Sequence, residues 1–391
     1  DRDIVYLNDG SEHIGSLVRI TDNEVILNMR EGEVTFAVDS VRSIDIGSWR
    51  PGDDWANRLD IDDPLLETAL ETADMASREW TSAGYITLYE KATLTVHEDL
   101  SADYVVRYIY YIANERGKDR ANFSMNYYED VQNVEVDFAR SVGLASISTV
   151  ADNAIEDGST TAWLADYQRR RVKKFALTGA SLGSVVDYQL TKHYDRFDQW
   201  NPLRENWTFY DNEPKIESIF EVKYHSSVPL MFHEVEVPKP ETGKEDGYSI
   251  REYRMENIEP YISETMLPNL NWFMPNVTVT LPQDLQKLSA AYYGKINELS
   301  DAMNLVESRL NAQFPGGNAS VEEVYNFVSE NFSSNGVSIR DFYPYPNLLS
   351  VILDRSRIAS YEMDFVLYAF LKAAGHNPQL VLVGPGIDTK I

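Results

Sequence analysis

The run "YITLYEKATLTVHEDLSADYVVRYIYYIANE", Tyr85 to Glu115, decides the fold class. Its second part, from Ala92 to Ile112, alternates apolar and polar residues with period two, the mark of antiparallel strands that bury one face. Similar runs follow in "VEVDFARSVG", "SVVDYQLTKHYDRF" and "ESIFEVKYHSSVPLMFHEVEV", rich in Tyr, Val, Ile and Phe. No long helical pattern interrupts residues 83 to about 237, so a β-sandwich-like domain is expected over 83–283.

Working outward toward the amino terminus, residues 49–82 turn acidic and helix-permissive. In "DDPLLETALETADMASREW", Pro64 suits a first helical turn and the acids favour the positive helix end, which reads as an acidic helical connector. Residues 4–46 fall into four or five short alternating runs, broken at Asp9-Gly10, Thr21-Asp22-Asn23 and Glu31-Gly32. Gly15 inside the second run permits the sharp bend that a small barrel needs. This segment resembles the Sm-like β-barrel modules of bacterial envelope proteins, and a small barrel is expected over 1–48.

Toward the carboxy terminus, "VPKPETGKEDGYSIREYRMENIEPYISETMLPNLNWFMPNVTVTLP" closes the β domain. Leu285, Leu288, Tyr292, Ile296, Leu299, Met303, Val306 and Leu310 then keep three-and-four spacing and predict one apolar helical face. Ser320 with Glu323 three residues on reads as a capping box before "VEEVYNFVSENF". "NLLSVILD", "YEMDFVLYAFLKAAG" and a strand-like "QLVLVG" follow, so residues 284–391 predict a mixed α and β unit. The expected architecture is multidomain and mainly β, with an α+β carboxy-terminal part.

Composition limits the function. The chain of 391 residues is 43% hydrophobic and 25% charged, a balance that folds. Its net charge of -27 argues against a nucleic-acid partner, because phosphate binding needs clustered Lys and Arg. There is no cysteine, hence no disulfide, thiolate metal site or thiol nucleophile. No run of ~18 apolar residues could span a bilayer. The opening "DRDIVYLNDG" suits a processed start, and "VLVGPGIDTKI" breaks off after a strand-like run, as if the polypeptide continued.

Several stretches carry a family resemblance. "FALTGASLGSVVDYQLTKHYD", with Gly183-Ser184 opening a strand that ends in the pair Asp187-Tyr188, "NEPKIESIFEVKYHSSVPL", and "YRMENIEPYISETMLPN", with Pro260 and Glu264, resemble in order a bacterial β-rich domain of unknown function. "SVILDRSRIASYEMDFVLYAFLKAAGHNPQLVLVG" resembles the nucleophile region of a transglutaminase-like domain, which shares its fold with cysteine proteases. The resemblance implies a nucleophile helix over 361–374 and the first half of that domain over 284–391. It also puts Ser360 where the family keeps its cysteine, Ile358 where it keeps a glycine, and Glu362 where an acid often follows. The family's catalytic His and Asp arrive on a later strand, beyond the residues that follow Gly375.

Ser360 therefore has two readings: a nucleophile at a positive helix end, or an N-cap whose oxygen accepts a first-turn N–H. Without a placed base the cap is favoured; a cysteine replaced by serine is the third option. His13, His97, His193, His225, His233 and His376 show no ligand spacing and read as strand or surface residues, with His376 placed at the negative end of the preceding helix. Asp53-Asp54, Asp62-Asp63 and "ETGKEDG" lack the grammar of a Ca²⁺ loop and read as solvated acids. "GASLGS" lacks the Lys of a phosphate loop and reads as a turn. Trp272 and Phe273 are the aromatic pair expected to meet a partner.

No cofactor or metal is expected. The favoured function is a non-catalytic binding or scaffold module with a protein or peptide partner, in the bacterial periplasm or at the cell surface. The alternatives are an amide-bond acyl transferase or peptidase completed beyond Ile391, and a subunit of a larger envelope assembly.

Overall fold

The structure, a computed structural model, describes residues 2–21, 23–29, 32–48, 62–143, 147–164, 167–262, 267–339 and 343–381. The first five strands are β1 (Arg2–Leu7), β2 (Glu12–Ile20), β3 (Glu24–Met29), β4 (Gly32–Ala37) and β5 (Val41–Ser48). They pair antiparallel in the order β4-β3-β2-β1-β5 around a small core of Val5, Val25, Leu27 and Phe36. A Cβ on Gly15 would lie 2.5 Å from the Asn28 carbonyl oxygen and 2.8 Å from Leu27 Cγ, so glycine lets β2 press against β3. Among the described residues β4 and β5 do not pair with each other, so the five strands form a sheet without the closure of a barrel.

Residues 49–61, which include Asp53-Asp54, lie outside the described residues. Helix α1 (Pro64–Glu79) starts as the sequence indicates, with Pro64 in the first turn and Asp63 accepting the Leu66 N–H at 3.2 Å. It is more than a connector. Leu66, Ala69, Leu70, Ala73 and Ala76 lie on Ile86, Leu88, Ile109 and Tyr111 of the main sheet, so the helix covers one sheet face. Full burial of each leucine there contributes roughly 1.5–3 kcal/mol.

The main sheet has eight strands: β6 (Tyr85–Val96), β7 (Ala102–Ile112), β9 (Gln132–Val142), β10 (Ile147–Thr149), β13 (Val185–Tyr194), β15 (Lys215–His225), β17 (Glu241–Glu245) and β18 (Tyr248–Ile258). Its order is β10-β9-β13-β7-β6-β15-β18-β17. Two three-stranded sheets pack on its other face. One joins β11 (Glu156–Ser159), β12 (Arg170–Ala176) and β8 (Asn122–Tyr128); the other joins β14 (Arg204–Thr208), β19 (Asn276–Thr280) and β16 (Met231–Val235).

The period-two pattern explains the layering. In β7, Val106, Tyr110 and Ile112 enter the core between the sheets with Phe175, Trp207, Val277 and Val279, while Ile109 and Tyr111 face α1. The carboxy-terminal end of that strand is therefore covered on both sides, where the sequence pattern predicted one buried face. A second difference is that β6 and β15 run parallel, Phe220 opposite Ala92 and Val222 opposite Leu94. The other pairs within this sheet are antiparallel.

The carboxy-terminal unit contains α2 (Leu285–Leu299), α3 (Met303–Gln313), α4 (Val321–Asn331), β20 (Ser333–Ser334), α5 (Leu349–Leu353), β21 (Arg357–Ile358) and α6 (Ser360–Ala373). The apolar repeat from Leu285 to Leu310 is split between α2 and α3 at Ser300, whose hydroxyl donates to the Ile296 carbonyl at 2.7 Å. The repeat survives the break because both helices feed one core. There Ile296, Val306 and Leu310 join Val324 and Val328 of α4 and Phe365, Val366, Ala369 and Phe370 of α6. Ser320 and Glu323 form the expected capping box, each side chain accepting the other's backbone N–H. Gln379 to Val381 are not in a strand, and the rest of "QLVLVG" lies outside the described residues.

Candidate functional site

The parallel bridge of β20 to β21, with Ser333 opposite Arg357 and Ser334 opposite Ile358, delivers the chain into α6. Ser360 is the first residue of that helix, not its cap, which corrects the capping expectation. The cap position belongs to Ala359, whose methyl group accepts nothing. Glu362 makes only the return half of a capping box, its Oε2 taking the Ala359 N–H at 3.0 Å, while its own N–H goes to the Ala359 carbonyl at 3.0 Å. Ala359 is wholly buried against Tyr167 and Val337, so the cap residue is packed rather than solvated.

Glu362 is also fully buried. Its Oε1 accepts the Asn347 N–H at 3.1 Å and the Asn347 side-chain amide at 2.7 Å. Its Oε2 accepts the Tyr167 hydroxyl, a bond that reaches from the loop between β11 and β12 into the helical unit. Burial, reinforced by the bond to Glu362, pushes the Tyr167 phenol up to about 12, so it remains a donor through the physiological range. Arg355 Nη1 donates to the same phenol oxygen at 3.3 Å. The resemblance had singled out Glu362, but not its partners Tyr167 and Asn347.

Ser360 itself is exposed, and its Oγ lies 3.0 Å from Ser334 Oγ, which accepts the Gly336 N–H at 3.1 Å. Next to it, Asn335 Oδ1 accepts the Val337 N–H at 3.0 Å, while its buried Nδ2 has no partner among the described residues. The arrangement is two alcohols at a positive helix end. Neither alcohol can take a proton from the other as a general base would.

The histidines are used elsewhere. His97 and His193 flank Asp103, at 3.1 and 2.5 Å. Burial raises the Asp103 carboxyl, but the two histidine contacts outweigh it and leave it below the usual range. His225 Nδ1 lies 2.7 Å from Ser227 Oγ, and His13 packs on Phe36. His376 Nε2 donates to the Ala319 carbonyl at 2.8 Å while its backbone N–H closes the end of α6 on Leu371. His233 sits exposed in β16, on a different strand from His225.

Of the remaining candidates, Asp63 is not a solvated acid, since it caps α1 and pairs with Arg107 and Arg140. "ETGKED" forms β17 and its turn, with Glu245 3.1 Å from Lys223. Among the described residues no cluster of three or more His, Asp or Glu stands close enough to hold a metal. "GASLGS" is a turn in which Ser184 Oγ donates to the Ser181 carbonyl at 2.6 Å. Trp272, the last residue of a one-turn 3-10 helix (Leu270–Trp272), and Phe273, which follows it, are about 42% and 41% exposed before β19, on the β domain and not on the unit that carries Ser360.

Comparison with known proteins agrees with these layers. The class is a mainly β, multidomain chain ending in a helical unit. Within it, residues 98–262 match the family model "Domain of Unknown Function with solved-structure structure (DUF3857)", which takes in β7 to β18. The crystal structure of a "putative protease" from Parabacteroides distasonis aligns with a TM-score of 0.61 at 16% identity. That alignment covers 75% of this chain and 59% of the neighbour, so this chain spans less than two thirds of it. At that identity the likeness shows the fold alone. Legionella pneumophila aminopeptidase A, crystallised with aspartic acid, aligns with a TM-score of 0.26 at 7% identity over 53% of this chain and 22% of its own, and carries no argument. No curated protein matches.

Proposed function

We propose that this chain is a non-catalytic binding or scaffold module with a transglutaminase-like carboxy-terminal unit, holding a protein or peptide partner in the bacterial periplasm or at the cell surface. In this reading the amino-terminal sheet is an Sm-like module and Ser360 occupies the nucleophile position without working as a nucleophile. The observation that carries it is the Ser360–Ser334 contact, hydroxyl to hydroxyl at 3.0 Å. A helix N-terminus stabilises a thiolate, but an alcohol needs a base to take its proton, and Ser334 is not one.

The test is an amide-chemistry assay on the purified chain, using casein with a fluorescent primary amine for transfer and a labelled peptide mixture for hydrolysis. No turnover is expected, and Ser360→Ala leaves that result unchanged. Turnover that disappears in Ser360→Ala would overturn the reading.

A second reading is favoured by the fold shared with the "putative protease" and by the exposed position of Ser360 at the start of a 14-residue helix. It is an acyl transferase or cysteine-type peptidase, with cysteine at position 360 and with His and Asp supplied past residue 391. Activity gained by Ser360→Cys in a longer chain supports it, and continued inactivity there removes it. Membership of an envelope assembly, docking through Trp272 and Phe273, is the third reading. A Trp272→Ala variant that still co-purifies with every partner of the parent chain removes that one.

A further inference from the structure

A cleft of about 500 Å³ opens where the β domain meets the helical unit. β8 lends Asn126, Tyr127 and Tyr128, β13 lends Lys192 and Tyr194, and β14 lends Arg204 and Glu205; Ile339 and Pro344, from the segment between β20 and α5, form the opposite rim. The chain carries 62 acidic residues against 35 Lys and Arg, so a lining drawn from it at large would be mostly acidic. Among the described lining residues the balance is reversed: Arg169, Arg170, Lys192 and Arg204 stand against one carboxylate, Glu205, with Asp130 behind Arg169. A concave site of one sign within an oppositely charged molecule concentrates ligands of the other sign.

Arg169 gives the cleft a fixed wall. Its guanidinium is held by Asp130 at 2.7 Å and lies over the rings of Tyr128, at 4.5 Å, and Tyr343, at 4.2 Å, which belong to the two units. Trp200 makes an edge contact with Tyr345 at 5.3 Å across the same junction. Lys192 is the under-partnered charge. Its side chain is 15% exposed, and its Nζ stands 4.0 Å from Glu205 and 4.6 Å above the Tyr194 ring. The nearby Glu205 oxygen already accepts the Tyr194 hydroxyl. Burial lowers the Lys192 pKa and outweighs the pull of Glu205, the direction expected for an ammonium lacking a close anion.

We propose that this cleft binds an acidic peptide, with Lys192 and Arg204 meeting a side-chain carboxylate and Tyr128 and Trp200 covering the residues beside it. A carboxylate entering beside Lys192 completes a charge-assisted hydrogen bond of about 2.8 Å that the free protein lacks. Asn126 on the exposed edge of β8 offers an amide for the peptide backbone. The overall negative charge opposes a polyanion such as nucleic acid, whereas a short acidic segment needs only local cations. This goes beyond the function proposed above, because it assigns a site and a ligand class whether or not Ser360 is reactive.

The experiment is fluorescence anisotropy on the full chain with a labelled Glu-Glu-Tyr-Glu peptide and its Gln-Gln-Tyr-Gln counterpart. The acidic peptide binds about tenfold or more tighter at low salt, and binding weakens as salt rises. Lys192→Met weakens it roughly tenfold and Arg204→Ala about threefold, while Lys174→Ala, paired with Glu156 outside the cleft, leaves it unchanged. If Lys192→Met does not fold, Arg204→Ala carries the test, since Arg204 is exposed at the rim. Equal binding of the two peptides overturns the proposal, as does full affinity in Arg204→Ala, joined by full affinity in Lys192→Met where that variant folds. So does binding of inorganic phosphate with the same variant sensitivity when the acidic peptide does not bind. Any of these failures leaves the reading of Ser360 standing.

Discussion

Asp187 in the large sheet and Glu362 at the start of α6 are both fully buried carboxylates, and the two regions satisfy them by opposite means. Asp187 receives Arg107 Nε at 2.9 Å and Arg140 Nη2 at 2.6 Å, and both guanidinium groups reach on to Asp63 at the cap of α1. Two cations meet two anions, and the network bolts the helix to the sheet. Glu362 is met instead by neutral donors: two backbone N–H groups, the Asn347 amide and the Tyr167 phenol. A buried ion pair left with one partner is costly, whereas a neutral donor left unpaired loses only its own desolvation penalty. The sheet side is thus built to stay joined, and the helical unit is held by bonds that are individually weaker.

The largest expected effect follows from the first half of that contrast. Asp187→Ala leaves the half-buried Arg107 and Arg140 with Asp63 as their shared anion, and should cost about 3 kcal/mol. Urea unfolding followed by tryptophan fluorescence measures it, and a loss under about 1 kcal/mol would show that Asp187 does not anchor this network.

At Glu362 the effect should be smaller and shared across the domain junction. Glu362→Gln turns one acceptor oxygen into a donor facing other donors, at a cost of about 1–3 kcal/mol, and Tyr167→Phe removes one bond from the other side. In a double-mutant cycle the two should couple by about 1 kcal/mol, because they remove the same hydrogen bond. Strict additivity would mean that the bond between the units contributes nothing.

The acid limb of stability sharpens the comparison further. Burial raises the Asp63 carboxyl, but Arg107, the Leu66 N–H and Arg140 outweigh it and leave it below its ordinary value. A carboxyl lowered in the folded state stabilises above the unfolded pKa of about 3.9 and loses that contribution as pH falls through the folded pKa. The α1-to-sheet contact should therefore weaken below about pH 4. Asp63→Asn should flatten the urea midpoint against pH in that range, and an unchanged acid limb in this variant would exclude Asp63 as its source.

These contrasts also mark what the sequence shows and what it hides. The strands of the main sheet are legible because period-two burial is local, as in Val106, Tyr110 and Ile112. The parallel pairing of β6 with β15 is not, since it joins segments separated by the whole of β7 to β14. Pro64 and Asp63 announce α1, yet nothing local says that its apolar face will lie on Ile86 and Ile109. Position 360 can be counted back from Gly375, but the carboxylate two residues later finds Tyr167 at a separation of 195 residues. The basic run Arg169-Arg170-Arg171 in so acidic a chain was the available signal for the cleft, readable only as charge until Lys192 and Arg204 are placed beside it.

The smallest effects separate two serines that look alike in sequence, each followed by a helix. Ser320 accepts the Glu323 N–H, so Ser320→Ala should cost about 1 kcal/mol. Ser360 accepts no first-turn N–H: the N–H groups of Glu362 and Met363 go to the Ala359 carbonyl at 3.0 and 3.1 Å, and Glu362 in turn accepts the Ala359 N–H. Its hydroxyl is exposed and touches another hydroxyl that already accepts the Gly336 N–H. Ser360→Ala should therefore stay within about 0.5 kcal/mol of the parent in urea unfolding. A cost as large as that of Ser320→Ala would assign Ser360 a structural duty through Ser334. A null effect on stability leaves position 360 free of any folding constraint, so that the residue there is set by what the exposed start of α6 meets.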